Sequence, residues 1–441
     1  MTEPQDRQGD QDIDGFFSTA RVTGRHEEVL LTDESFRAYL PDPDDPDVVQ
    51  WRGLGYEEFS RRKRSPDFVQ ELLASWQELY DQPFVGVTSD GVVRDDVHRL
   101  RPVDMPDAAP VRAAEQLLDA LTADERKQFC HPVDASEWRA WSNPEFVIHR
   151  VGLRLEELNE PAVRAVLDMV RASLSPEGFE RLEEAMALNG FLGDLVGLPA
   201  LMNDRSYWVS LFGVPSLHGA WGWQVFGHHV AVSFVSVAGR HVVAPVFLGA
   251  EPALSDDARP PLFDARERLA IELASSLTTE QRAEAVVYAS VLDPAMPEGR
   301  LHPADERHVA GAFHDNRVIP YEGLRADALS EDQWRVLRAI VEDFFLLLTE
   351  PQRKLALQEV DDHRDETWFA WYGATDGSQP FYLRVHSPVV LAELDHHAGV
   401  WLANKLPARF HVHTTLRLPN GNDYGRAYVQ QLVAGPEAAD D

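Results

Sequence analysis

The spacing of hydrophobic and polar residues changes its period several times along the chain, and each period predicts one kind of element. Apolar side chains recur every three or four positions in residues 66–80, 161–174 and 331–348, which is typical of amphipathic helices. Other stretches alternate every second position or run through β-branched residues, which predicts strands. The predicted strands are residues 221–226, 229–237, 240–248, 381–386, 389–395 and 410–418.

Turn and breaker residues divide the chain between these elements. Residues 83–93 hold two β-branched runs around Ser89-Asp90-Gly91, which predicts a hairpin, and three prolines in residues 102–110 predict a linker. The first residues are polar and acidic, which predicts a disordered tail. The predicted organisation is a disordered tail at 1–14, an N-terminal helix and hairpin region at 15–110, a first α+β unit at 111–264, a second α+β unit with His-rich strands at 265–430, and a tail at 431–441.

The two α+β units share short landmarks in the same order. These landmarks are LTADERKQ (121–128) and LTTEQRAE (277–284), the pairs His131-Pro132 and His302-Pro303, and GLRLEEL (152–158) and GLRADAL (323–329). In each unit two helices and then a β-rich block follow. We therefore predict an α+β fold in which two internally repeated helix-then-sheet units pack around a pseudo-two-fold axis. Coincidence among common helix caps is the alternative.

Composition excludes several classes of partner. The 441-residue chain carries 73 acidic and 41 basic residues, a net charge of −32, which repels phosphate backbones and anionic lipid. We therefore expect neither a nucleic acid nor a membrane partner. A single cysteine excludes an intramolecular disulfide and a Cys-rich zinc module. The N-terminus lacks the basic and apolar segments of a signal peptide, so we expect a cytoplasmic protein.

Histidines and carboxylates concentrate in the late predicted strands. His411 and His413 are two apart on a strand, so both side chains point to the same face. His386 ends an earlier strand, and Glu393 lies in an apolar run where a carboxylate is costly unless it is paired or binds a metal. Imidazoles with one carboxylate suit iron, copper or zinc. We predict that His386, Glu393, His411 and His413 bind a divalent transition metal; a structural or substrate-binding histidine cluster is the alternative.

Other polar residues near these strands are candidates for substrate binding and catalysis. Arginines gathered in so acidic a chain indicate a local anion pocket, with surface salt bridges as the alternative. Of the pair His228-His229, one is expected to face the core, and His229 is the better site candidate. The predicted substrate-binding residues are Arg384, Arg409, His229 and Asn422, the predicted catalytic residues are Asp395 and Tyr424, and the possible additional site residues are His228, His396 and His397.

Several common signatures are missing from the sequence. There is no Walker-type GxxxxGK[ST], no GxGxxG after a strand, no GxSxG and no HExxH. We therefore expect no nucleotide cofactor, and a serine hydrolase of the elbow type is disfavoured. His302, His308 and His314 lie at six-residue intervals, which fits no common helix face, so we interpret them as scattered.

Five blocks of the sequence together resemble a known family. The blocks are LMNDRSYWVSLFGVPS, WGWQVFGHHVAV, VFLGAEP, LRVHSPVVLAELDHHAGV and RFHVHTTLRLPNGNDYG. Over residues 66–430 the chain resembles the bacterial family called domain of unknown function, number 3500. The resemblance implies a common fold, and it implies that the histidines of the GHH, HSP, DHH and HxHT motifs belong to the family pattern. Members often look secreted, whereas this chain lacks a signal peptide.

The preferred interpretation is a metal-dependent enzyme, an oxidoreductase or a hydrolase, acting on a small organic substrate that is anionic if the arginines face the site. One alternative is a metal-independent binding protein with an Arg/His anion pocket between the two halves. Another is a scaffolding protein whose halves stabilise each other. Convergence of the histidine rings on a cavity distinguishes the first interpretation from the third.

Overall fold

A twelve-stranded sheet and twelve α-helices make up the described part of the computed structural model, residues 33–146, 148–257 and 259–435. The helices are α1 (Pro46–Val49), α2 (Tyr56–Lys63), α3 (Asp67–Tyr80), α4 (Ala109–Ala120), α5 (Ala123–Phe129), α6 (Glu160–Ser173), α7 (Pro176–Val196), α8 (Asp264–Ser276), α9 (Thr279–Ala285), α10 (Glu331–Phe344), α11 (Glu350–Asp362) and α12 (Arg426–Ala434).

The strands form one continuous mixed sheet. They are β1 (Cys130–His131), β2 (Leu153–Arg154), β3 (Tyr207–Gly213), β4 (Ala220–Gly227), β5 (Val230–Val237), β6 (Arg240–Ala250), β7 (Val286–Tyr288), β8 (Leu324–Arg325), β9 (Trp368–Tyr372), β10 (Tyr382–His386), β11 (Leu391–His396) and β12 (Val412–Arg417). Their order is β1-β3-β4-β5-β6-β12-β11-β10-β9-β7, with β2 beside β3 and β8 beside β9. The β1–β3 and β7–β9 pairs are parallel, and the other strand pairs are antiparallel.

The two β-rich blocks meet edge to edge between β6 and β12. Val246 pairs with Leu416 and Gly249 pairs with His413 across this antiparallel junction. The architecture is therefore mixed α/β around a single sheet. The six predicted strands all lie within or beside observed ones, and the structure adds long strands β3 and β9 that the pattern did not predict.

Local capping explains where several helices begin. Thr122 starts α5 and Thr278 starts α9, and in each case the threonine oxygen accepts the N–H of the third helical residue. The Glu125 and Gln281 side chains accept hydrogen bonds from the backbone N–H groups of Thr122 and Thr278, which completes a capping box at each helix. The shared LT motifs are thus helix starts. The amphipathic helices α6 and α10 bury their apolar faces in the main hydrophobic core together with the sheet.

The structure differs from the sequence-based prediction at residues 83–93 and at the C-terminal tail. The predicted hairpin at residues 83–93 is wrong, because Thr88 pairs with the distant Val318 and the Val85 N–H binds the Asn316 side chain. Residues 85 and 88 therefore pair with residues 316 and 318 instead of with each other's strand across a local turn. The tail predicted from residue 431 is wrong in part, because α12 extends to Ala434. The tail predicted at 1–14 and residues 436–441 lie outside the described residues.

No helix in the described part of the chain is both long enough and apolar enough to span a bilayer.

Candidate metal centre

A small cleft with an enclosed volume of about 50 Å³ lies at one end of the central strands. Its walls come from the β4–β5 turn, the start of β12 and three loops. The loops contribute residues 142–146, 303–306 and 397–400. Histidines 228, 229, 397 and 413 line the cleft. The sheet register therefore brings together imidazoles that are far apart in the sequence.

His413 lines the cleft near the start of β12, and His411 lies just before that strand. Their Nε2 atoms are 3.0 Å apart, and His411 Nδ1 lies 2.7 Å from the Ala398 carbonyl oxygen. That carbonyl can only accept, so His411 carries its proton on Nδ1 and presents a lone pair at Nε2. Two nitrogen lone pairs at this distance repel each other unless a proton on His413 or a metal ion lies between them. Ligand nitrogens around a tetrahedral zinc ion are about 3.3 Å apart, given Zn–N bonds of about 2.0–2.1 Å.

His229 reaches the same point from the two-residue turn between β4 and β5. Its φ of 63° places a non-glycine residue in the left-handed region, which costs about 1–3 kcal/mol. The His229 N–H binds Asn143 Oδ1 at 3.0 Å, and its ring stacks on that of His228 at 3.8 Å. One ring nitrogen each from His229, His411 and His413 lies within 4.8 Å of the others, and all three residues are buried. We call this set the first histidine group.

Because Gly249 has no side chain, the rings of His229 and His413 can occupy the space above it. It lies opposite His413 in the sheet, and a Cβ atom there would come within 2.7 Å of His413 Cδ2 and 3.1 Å of His229 Cδ2. A side chain at this position would therefore displace two of the three imidazoles.

A second set of ligand-type side chains lies beside the first. His308, Asp395 and His397 are buried, and one ligand atom of each lies within 4.8 Å of the others. The His397 and His413 ring centroids are 3.9 Å apart. We call this set the second histidine group.

A third set, His302, Asp305 and His314, lies near the cleft mouth and is only partly buried. Asp305 Oδ2 is 3.2 Å from His302 Nδ1 and 3.6 Å from His314 Nε2. His302 Nδ1 already accepts the Ala304 and Asp305 backbone N–H groups at 3.2 Å. Because those bonds use its lone pair, this third group is less suited to a metal.

Two of the predicted metal ligands lie away from the cleft. His386 pairs with Leu391, and Leu391 with Arg417, which is four residues from His413 or about 13 Å along β12. Both ring nitrogens of His386 are buried without a hydrogen-bond partner among the described residues. The Glu393 carboxylate accepts bonds from the Val309 and Ala310 N–H groups and from the Tyr382 hydroxyl. Glu393 therefore anchors the segment that carries His308.

The predicted arginines bind carboxylates at a distance from the cleft. Arg384 donates to Glu322 at 2.8 Å, and Arg409 donates to Glu267 at 2.6 Å. Neither residue lines the cleft. These contacts favour the salt-bridge interpretation of both residues.

Of the remaining predicted site residues, some lie in or beside the cleft and the others lie outside it. Tyr424 donates to Asp315 at 2.8 Å in a buried network, and Asn422 contacts His98 at 3.3 Å. His396 accepts the Phe381 N–H, outside the cleft. By contrast His228 and His397 line the cleft, and Asp395 lies beside His397.

Sequence reasoning missed several residues of this region. The sequence interpretation of His302, His308 and His314 as scattered rests on the lack of a common helix face, but their segment is built of turns. Three histidines within thirteen residues, the first of them in a His-Pro pair, are the signal for this segment, and Asp305 lies between them. Asn143, Glu145 and Glu306 carried no comparable signal.

Burial sets the protonation state of the site. Burial lowers the pKa of His411 to about 3, and it lowers those of His229, His397 and His413 well below the usual range, with neighbouring imidazoles adding to the effect. These rings are neutral at pH 7, as metal ligands must be. Burial also raises the pKa of the cleft residue Glu306 to about 7.

Acid is expected to destabilise the metal-free protein, and His241 offers a clean test outside the cleft. Burial lowers the pKa of His241 to about 4, against about 6.5 in the unfolded chain. Between these values the unfolded state binds more protons, so stability is greatest above pH 6.5 and falls as the pH falls. At about pH 5 this one residue costs about 2 kcal/mol.

His241→Phe keeps a ring against Phe234, whose centroid is 4.9 Å away, and removes the titration. Urea unfolding at about pH 7.5 and about pH 5 should show a smaller acid-induced loss of stability in the variant, by about 2 kcal/mol. An equal loss in both proteins would contradict the assignment.

The fold and its buried imidazole groups define a mixed α/β protein with a candidate metal centre. The family model described as "Protein of unknown function (DUF3500)" matches residues 104–426, so the chain belongs to that family. The resemblance noted in the sequence blocks is thereby confirmed, and all three histidine groups fall within the matched range. Comparisons with curated proteins and with solved structures found no match.

Proposed function

We propose that the protein is a metal-dependent enzyme whose divalent ion is bound by His229, His411 and His413. The observation that carries the proposal is the convergence of three buried, neutral imidazoles, two of which, His229 and His413, line the cleft. Three protein ligands leave coordination positions for water or substrate, as catalytic sites require. An imidazole-only set suits zinc, copper or iron, and the bound ion would supply Lewis-acid, water-activating or redox chemistry.

The charge around the cleft supports a bound cation. The carboxylates of Glu145, Asp305 and Glu306 line it, and Asp395 lies directly behind His397. The nearby cations that pair with them are Lys63, 3.2 Å from Glu145, and Arg307, 2.6 Å from Asp395. Four carboxyl groups thus face two cations in a buried region, and the raised pKa of Glu306, about 7, is consistent with an excess of negative charge that a divalent ion would offset.

The cleft walls also indicate the class of substrate. Among its described lining residues there is no lysine or arginine, and the aromatic rings of Trp76 and Phe146 face it. We therefore propose a small uncharged or cationic organic substrate rather than an anionic one.

Three compounds of similar shape test that preference. Benzylammonium and benzyl alcohol should raise the unfolding temperature of the zinc-loaded protein, whereas benzoate should not. Stabilisation by benzoate alone would contradict the proposed substrate class.

We further propose that the sheet arose by duplication around a pseudo-two-fold axis at the β6–β12 junction. Two features support this: β1-β3-β4-β5-β6 and β7-β9-β10-β11-β12 follow the same order, and each begins with a parallel pair. An axis through the Val246–Leu416 pair relates His411 and His413 to His241 and Val243. On this proposal only one of the two related positions keeps a set of metal ligands.

Removal of one ligand should weaken metal binding far more than removal of a distant histidine. In calorimetric titrations of zinc into chelator-treated protein, His413→Ala should weaken the tightest binding event by at least about 100-fold. His386→Ala removes a histidine that is equally buried but lies at the other end of the strands, and it should leave binding unchanged. Equal affinities in wild type and His413→Ala would refute the proposed centre.

A further inference from the structure

We infer that the cleft holds two metal ions side by side, the second bound by His308, Asp395 and His397. The inference rests on the proposed function, because the second ion would share the cleft with the first. It goes further in assigning a dinuclear centre.

The second histidine group has the spacing of ligands around one ion. Asp395 Oδ2 lies 3.1 Å from His397 Nε2, close to the separation of about 3.3 Å between ligand atoms of a tetrahedral zinc ion. His397 Nε2 is buried, and its 3.1 Å contact with Asp395 Oδ2 does not have the geometry of a hydrogen bond. Such an atom requires a partner, and a metal ion would supply one.

Outer hydrogen bonds hold these side chains in place. Arg307 Nε donates to Asp395 Oδ1 at 2.6 Å, which leaves Oδ2 directed at His397. His308 Nδ1 lies 2.7 Å from Thr415 Oγ1, and its Nε2 lies 3.3 Å from the His413 carbonyl oxygen. An ion bound at either ring nitrogen would replace the contact made there. His411 is held in the same way by the Ala398 carbonyl. Metal-binding histidines and carboxylates commonly have such supporting bonds.

Sheet register brings the second group against the first. Asp395 and His413 are directly paired residues of β11 and β12. The His397 ring centroid is 3.9 Å from that of His413, and His308 Nε2 is 3.3 Å from the His413 carbonyl oxygen. Two-metal enzymes hold their ions about 3.5–4 Å apart, so neighbouring ligand sets of this kind suit a dinuclear centre.

Zinc stoichiometry tests the inference. Wild-type protein is stripped with chelator, reloaded with zinc and desalted, and about two ions per chain are expected. His397→Ala should retain about one ion. His314→Ala, in the third group, is the matched control and should retain about two.

Three other patterns of zinc content would contradict the dinuclear centre, the proposed function or both. A single ion in wild type, retained by His397→Ala and lost in His413→Ala, would overturn the inference and leave the proposed function standing. No bound ion in wild type would overturn both. Loss of the second ion in His314→Ala instead of His397→Ala would assign that ion to the third group and also overturn the inference.

Anomalous diffraction from zinc-loaded wild-type crystals needs no variant, so a folding defect cannot obscure it. Two peaks are expected, one at the first histidine group and one at the second. A single peak would overturn the inference.

Discussion

Replacing Arg417 by methionine is expected to destabilise the protein by about 3–5 kcal/mol, because the substitution leaves the buried Asp423 without its counter-ion and leaves Asp315 with Arg139 alone. Arg417 is fully buried and donates to Asp315 at 2.7 Å and to Asp423 at 3.1 Å. It also binds the carbonyl oxygens of Ala310 and Gly311, at 2.9 and 2.6 Å. Arg417 therefore ties the loop that follows His308 to strand β12.

Urea unfolding at neutral pH measures this effect. Arg335→Met is the matched control, because Arg335 pairs with Asp332 on the surface, where both side chains are more than 70% exposed. The control should unfold like wild type. If Arg417→Met also did so, the assigned role of the buried network would be untenable, whereas a variant that fails to fold agrees with it.

Gly249→Ala should weaken zinc binding by about 10–100-fold or more while leaving the protein folded. The added methyl group would lie 2.7 Å from His413 Cδ2 and 3.1 Å from His229 Cδ2, so both rings would have to move. The φ of Gly249 lies outside the left-handed region, and alanine is therefore acceptable to the backbone. Overpacking of this kind costs about 1–3 kcal/mol of stability.

Gly55→Ala is the control, since Gly55 has an ordinary φ and open space within 4 Å of an added Cβ. Calorimetric titration of zinc should give wild-type affinity for this control. Wild-type affinity in Gly249→Ala as well would mean that the imidazoles do not need their present positions, contrary to the proposed centre.

The sequence was informative where the chemistry followed from local periodicity. His411 and His413 are two apart in a predicted strand, and this spacing alone predicts that they share a face. In the structure β12 begins at Val412, and the two Nε2 atoms lie 3.0 Å apart. The predicted strands also agree with the observed ones, because alternation is a local property of the chain. For Glu393 the sequence indicated that the carboxylate is paired or binds a metal, and the structure shows it paired with two backbone N–H groups and a tyrosine hydroxyl.

The rest depended on long-range register, which periodicity does not contain. His386 on β10 and His413 on β12 lie at opposite ends of the strands, with β11 between them, and only the pairing through Leu391 and Arg417 reveals this. His308 enters from an irregular segment more than a hundred residues before β12. Its position depends on tertiary contacts such as those of Glu393, and no pattern within the segment encodes them.

The metal content of natively purified protein, measured by elemental analysis, tests the central claim most directly. Wild-type protein should contain at least about one equivalent of zinc, copper or iron per chain, and the double variant His411→Ala/His413→Ala should contain at least about one equivalent less. Equal metal content in the two proteins, whether negligible or substantial, would contradict a metal centre at these histidines.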